Sequence, residues 1–212
     1  MRKDRAKAGD EAATGSKGER TRKRILDATA AEVARCSVEG TSINSIAAAA
    51  RLKTGSLYFH FESKDKLVEA MFEAGLSASL DRLDAALADC PADADPAVRL
   101  YAALRAHIGA VRDMRDYTIA VLGPSFPKDA AGANARRLRR DYVARWTELV
   151  DAAQREDMLA REPDPELLRD AILGALNAVG LSERSPETVF EALKALIGDR
   201  RSNGLDAADN AA

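Results

Sequence analysis

The chain has 212 residues, 46% hydrophobic and 31% charged, enough apolar sequence for a core in one domain or in a small domain joined to a larger one. Its longest apolar run, 171–181, is broken by Gly174 and Asn177 and is too short to span a bilayer, the charged N-terminus has no signal-peptide core, and Cys36 and Cys90 lack metal-ligand spacing; a reduced cytoplasmic setting, no membrane, no metal and no cofactor are expected. The net charge of −2 is uneven, with 14 Lys/Arg against 9 Asp/Glu in residues 1–66 and 18 against 25 in 67–212, so a basic head precedes an acidic body and the head alone expects an anionic partner.

In chain order, residues 1–19 are polar and predict a disordered arm, ending in "RTRKR" at 20–24. Helical patterning starts at Ile25 in "ILDATAAEVARC" and stops near "SVEG", with Gly40 as breaker. "TSINSIAAAA" opens a second helix capped by Ser42. After "RLK" a third helix spans roughly Thr54 to His60, and a fourth begins at the Ser63 cap, with Asp65 in its first turn. Asp95-Pro96, Asp164-Pro165 and Ser185-Pro186 each place a cap before a proline at the first helical position, where its missing N–H costs nothing. Between them "RDYTIAVL" predicts a short helix, 123–134 a Pro/Gly loop, and Ala135 to Met158 a long helix. No strand pattern or repeat stands out, so an all-α chain of about nine helices is expected: a disordered arm 1–19, a small helical head 20–66, a larger helical body 67–198 and a flexible tail 199–212.

Two short helices joined by a tight turn make a helix-turn-helix, whose second helix enters the major groove. In "TGSLYFHFESKDKL", Leu57 and Phe61 are one turn apart and face inward. Thr54, Gly55, Ser56, Phe59 and His60 face out, Lys53 precedes them, and Tyr58 serves both sides, packing its ring and offering its hydroxyl. Gly55 permits close approach to a phosphate, Thr54 and Ser56 donate hydrogen bonds, and Phe59 suits a thymine methyl. Lys64 opens the next helix, whose N-terminus favours anions.

On "RKRILDA", "TSINSIA" and "GSLYFHFESKDKL", the segment Arg22 to Leu67 resembles the DNA-binding domain of TetR-family transcriptional repressors. The resemblance implies DNA contacts at Ser42, Lys53, Thr54, Gly55, Ser56, Tyr58, Phe59, His60 and Lys64. Three positions depart from the family pattern: Ser37 and Arg51 stand at usual glycines, and Glu32 at a usual apolar site.

In the body, "PELLRDAILGALNAVG" and "PETVFEALKALIG" have broad apolar faces, and the resemblance favours a homodimer through Leu168, Ala171, Ile172, Ala175, Val179, Val189, Phe190, Leu193 and Leu196, packed as a four-helix bundle. It also implies a ligand cavity drawn from Tyr101, Leu104, His107, Ile108, Tyr117, Leu122, Phe126, Tyr142, Trp146 and Asn177, most of which suit plain core equally well. His107, Tyr142 and Asn177 are the polar exceptions, and a buried polar group needs a partner. "ARRLRR" at 135–140 is a solvated face by default. The C-terminal region loosely resembles acyl-CoA-sensing members, which would give those arginines a phosphate to meet.

No nucleotide-binding glycine loop, zinc-protease motif or hydrolase elbow occurs, so no catalytic residue is expected. The reading is a ligand-responsive repressor, dimeric on a palindromic double-stranded operator and released by a small hydrophobic or amphipathic effector (an acyl-CoA or another lipophilic compound). An activator or ligand-independent regulator of the same fold is the alternative, and a non-DNA helical binding module a more distant one.

Overall fold

A computed structural model describes residues 16–127 and 132–197. Among these residues the chain forms nine helices and no strand: α1 (Lys17–Gly40), α2 (Ile43–Ala49), α3 (Thr54–His60), α4 (Lys64–Ala88), α5 (Pro96–Asp113), α6 (Arg115–Leu122), α7 (Ala133–Arg155), α8 (Pro165–Gly180) and α9 (Pro186–Ile197). None of the described helices is long and apolar enough to cross a membrane.

Helix starts follow the caps in the sequence. Asp95 Oδ1 accepts the Ala97 N–H, Asp164 Oδ1 those of Glu166 and Leu167, and Ser185 Oγ that of Thr188, so α5, α8 and α9 each begin at the predicted proline. The expected arm is corrected at its C-terminal end. Ser16 and Glu19 form a reciprocal capping box, so α1 starts at Lys17 and carries "RTRKR" as helix. The rest of that arm, and the expected tail 199–212, lie outside the described residues.

The break after the first helix is also relocated. It lies at Cys36 and Ser37, which leave helical geometry inside the span that runs on to Gly40. Ser37 has φ 63° and ψ 173°, and Arg51, in the turn before α3, has φ 52°. Both usual-glycine positions therefore keep a backbone that suits glycine. At Ser37 the local bonds are dense: its hydroxyl donates to Glu39, and its carbonyl accepts from the Thr41 hydroxyl. Glu32 is half-buried because it has partners, the Arg35 guanidinium and the Ser45 hydroxyl, which together hold its carboxyl below the usual range.

Two cores form. The first joins Ile25, Leu26 and Val33 of α1, Ile46 of α2, Leu57 of α3 and Leu67–Leu76 of α4, and takes in Ala120, Ala135 and Leu138 from the body. The second packs Leu83 of α4 with Leu100, Leu104 and Ile108 of α5, Trp146 and Val150 of α7, Leu176 of α8 and Val189 of α9. Full burial of each large aliphatic side chain contributes roughly 1.5–3 kcal/mol. Helix α4 belongs to both cores, so the boundary expected at 66/67 does not separate one core from the other; a movement of α4 is felt in both.

Candidate functional site

The α3 segment is two-sided. Leu57 and Phe61 are buried, while Phe59 is 87% exposed and Tyr58 55% exposed. Tyr58 thus lies outside the core, a correction to its expected packing role. Such adjacent exposed aromatics point to a contact function. The phenyl ring of Phe59 meets His60 edge-on at 5.3 Å. Gly55 is exposed, and a Cβ there would meet nothing within 4 Å, so its backbone is open to close approach. Lys53 is the exposed N-cap of α3, and Ser63 caps α4 directly before Lys64.

Neighbouring helices orient this element. The Thr54 hydroxyl donates to Asn44 Oδ1 at 3.1 Å, tying the start of α3 to α2. Ser42 is exposed and caps α2 through a reciprocal pair with Ser45. Arg22 stacks over Phe61 at 4.8 Å, bringing basic α1 against the end of α3. Asn44 and Arg22 were not among the predicted site residues. The signal for Asn44 was faint, an exposed polar residue in the first turn of a short helix.

In the body a cavity of about 370 Å³ opens between α4, α5, α6, α7 and α8, within the size range of small-molecule sites. His107, Tyr117, Leu122, Tyr142 and Asn177 line it, joined by Gly75 and Ser79 of α4. A Cβ at Gly75 would lie 2.8 Å from the Tyr117 ring, so only glycine lets α6 approach α4 here. Tyr117 also donates its hydroxyl to Asp27 Oδ1 of α1 at 3.0 Å, and Lys23 binds the other oxygen of that carboxylate at 2.7 Å. Burial, with Asp27 alongside, raises the Tyr117 pKa well above the ordinary phenol range, so it stays a donor.

A larger open groove of about 830 Å³ adjoins this cavity and shares Arg139 and Val143 with it. Arg136, Arg139 and Arg140 of α7 and Arg169 of α8 line the groove, opposite Phe126. Arg139 stacks over Phe126 at 4.8 Å, and Phe126 meets Phe72 of the first core edge-on at 5.3 Å.

Comparison with known proteins bears on both halves. The profile for bacterial regulatory proteins of the tetR family matches residues 25–71, and that for the tetracyclin repressor-like C-terminal domain matches residues 93–181. The chain belongs to the TetR family. The same fold occurs in AibR, solved in complex with isovaleryl coenzyme A and operator DNA, with 22% identity, a TM-score of 0.72, and 84% of this chain and 98% of that one covered. The ketosteroid transcriptional regulator KstR2 of Mycobacterium tuberculosis is 18% identical with a TM-score of 0.72, covering 83% of this chain and 92% of its own. A putative fatty acid metabolism regulator of Clostridium perfringens is 20% identical with a TM-score of 0.70, covering 83% and 97% respectively. No curated protein matches the sequence.

Within this TetR-family body, some expected ligand residues have other places. Leu104, Ile108 and Trp146 are fully buried in the second core and do not line the cavity. Tyr101 is half-buried beside Phe190 at 6.0 Å, and Phe126 belongs to the outer groove. The expected dimer face is corrected in the same way. Ile172, Val189, Phe190 and Leu193 are buried in the chain's own second core, and Leu168 and Ala175 pack against it, so these residues do not present a free surface. The exposed small or apolar positions are Leu167, Ala171, Gly174 and Ala178 on α8, with Ala192 and Ala195 on α9. The side chains of Val179 and Leu196 lie outside the described residues.

Proposed function

We propose that this TetR-family regulator is a ligand-responsive repressor. As a homodimer it holds two α3 helices in successive major grooves of a palindromic operator, and an amphipathic effector in the body releases it. The observation that carries this reading is Tyr117, which forms a wall of the cavity while hydrogen-bonded to α1 of the head. Anything that fills the cavity acts on a side chain already tied to the DNA-binding unit. The effector must favour the DNA-incompetent arrangement to shift the equilibrium.

On the DNA side, Ser42, Lys53, Thr54, Gly55, Ser56, Tyr58, Phe59, His60 and Lys64 are all at least partly exposed, which suits phosphate and base-edge contact. On the effector side, the apolar part of the cavity wall (Leu76, Val111, Val121, Leu173) suits a hydrocarbon tail and the arginine-lined groove suits an anionic head. An acyl-CoA thioester has both parts. The complex of AibR with isovaleryl coenzyme A and operator DNA supports this class by analogy of fold.

The test is selection of binding sites from genomic DNA with purified protein at two salt concentrations. A palindromic footprint whose half-sites are spaced by about one helical turn or more is expected. Recovery of DNA with no sequence preference at either salt overturns the repressor reading.

A further inference from the structure

A connected polar row crosses the cavity wall, which also carries Ser79, Thr118, Arg139 and Asp170 among its apolar residues. Tyr142 Oη lies 2.6 Å from His107 Nδ1, and His107 Nε2 lies 3.1 Å from Asn177 Oδ1. The three side chains come from α7, α5 and α8, and all three line the cavity. Burial lowers the His107 pKa to about 4, so the ring is neutral at physiological pH, with one N–H and one lone pair. Asn177 turns its carbonyl oxygen, which only accepts, toward Nε2, so Nε2 carries the proton. Nδ1 is then the acceptor, and the Tyr142 hydroxyl donates to it. That phenol is neutral as well. Burial pushes it up to about 12, a rise that the buried Trp146 N–H moderates without reaching hydrogen-bond geometry.

The row therefore has a direction, from Tyr142 through His107 to Asn177. Its last member already accepts through Oδ1, while its amide NH2 makes no hydrogen bond to another described residue, and Asn177 lines the cavity. A donor left unmatched when a ligand excludes water costs free energy, and a ligand oxygen removes that cost. A purely aliphatic ligand, or one offering only donors, leaves the amide unpaired.

We infer that the cavity selects an effector whose apolar part carries a hydrogen-bond acceptor, a carbonyl oxygen above all, and that Asn177 reads this group while Tyr142 and His107 position it. The inference rests on the amphipathic-effector reading above and adds what the tail must contain. It assigns the charged groove to the head of the molecule and the Asn177 amide to the first polar atom beyond it.

The test compares two probes that differ in that oxygen alone, decanoyl-CoA and its thioether S-decyl-CoA, by calorimetric titration of the full chain. The thioester is expected to bind roughly three- to tenfold more tightly. In Asn177→Leu the two probes bind equally, with the thioether little changed from wild type. In Tyr142→Phe, which keeps the amide but frees the His107 tautomer, the preference shrinks without vanishing. Equal binding of both probes to the wild-type chain overturns the inference and leaves the effector reading standing. Binding of neither overturns both. A preference that persists in Asn177→Leu overturns the role of Asn177.

Discussion

Ser37 and Arg51 show what a single residue is asked to tolerate. Ser37 combines φ 63° with ψ 173°, a region occupied almost only by glycine, and Arg51 has φ 52°; each costs on the order of 1–3 kcal/mol. Ser37→Gly is expected to stabilise the protein by about 1 kcal/mol, offset in part by the lost Glu39 hydrogen bond. Thermal melting should rise by roughly 2–4 °C. Arg51→Gly should give a similar rise, but Arg51 is exposed in the turn before the recognition helix, where a guanidinium is well placed for phosphate. Loss of a phosphate contact would lower the slope of log affinity against log salt by about one per half-site, so melting and salt titration separate the two roles. His107 adds a pH dependence. Its folded pKa, about 4, lies below the ordinary value of 6.5 because burial disfavours the cation. The unfolded chain therefore binds more protons between those values. The stability linked to neutral His107 is complete above about pH 6.5 and is lost as pH falls toward 4, by about 3 kcal/mol at most. Denaturant midpoints of wild type and His107→Gln across that window should converge as pH drops.

At the scale of elements, α6 and the loop after it act as a strut between body and head. Tyr117 ties α6 to Asp27, while farther on Ser125 donates to Glu39 and accepts the Val38 N–H. Between these anchor points the same segment lines both the cavity and the arginine groove. Tyr117→Phe keeps the ring against Gly75 but removes the bond to α1. Effector affinity without DNA should hold within about twofold, while the factor by which effector weakens operator binding should fall several-fold. An unchanged factor would show that coupling does not run through the Tyr117–Asp27 bond. This strut also marks the limit of what the sequence makes legible. Helix starts could be read because each is encoded within four residues, as in Asp95-Pro96, and the two sides of α3 followed from the spacing of Leu57 and Phe61. The cavity wall was less legible, because Gly75 and Ser79 of α4 join it only through the packing of α6, and an apolar stripe looks the same whether it meets protein or ligand. Tyr117–Asp27 spans ninety positions in sequence, and no local pattern announces such a pair.

For the whole molecule, the decisive surface is the one the protomer leaves open. The apolar faces of α8 and α9 contain two kinds of position, and the sequence pattern merges them. Leu193, Val189 and Ile172 complete the second core, whereas Ala171, Gly174 and Ala178 stay exposed, and a Cβ at Gly174 meets nothing within 4 Å. Small residues along an exposed helix let a partner helix approach closely, and two α8–α9 pairs related by a two-fold axis would form a four-helix bundle. Substitutions on the two faces should therefore part company. Leu193→Ala opens a cavity in the protomer and should cost about 2–5 kcal/mol of stability, with sedimentation still reporting a dimer wherever the protein is folded. Ala171 is exposed and does not line the cavity, and Ala171→Arg tests that face. It places a bulky charge where the partner's small face would sit, so a folded monomer by circular dichroism and sedimentation is expected. With the two recognition helices no longer linked, affinity for a palindromic site should fall by at least about a hundredfold, while binding to a single half-site is preserved. A folded, dimeric Ala171→Arg variant with full operator affinity would move the dimer interface away from this face of α8.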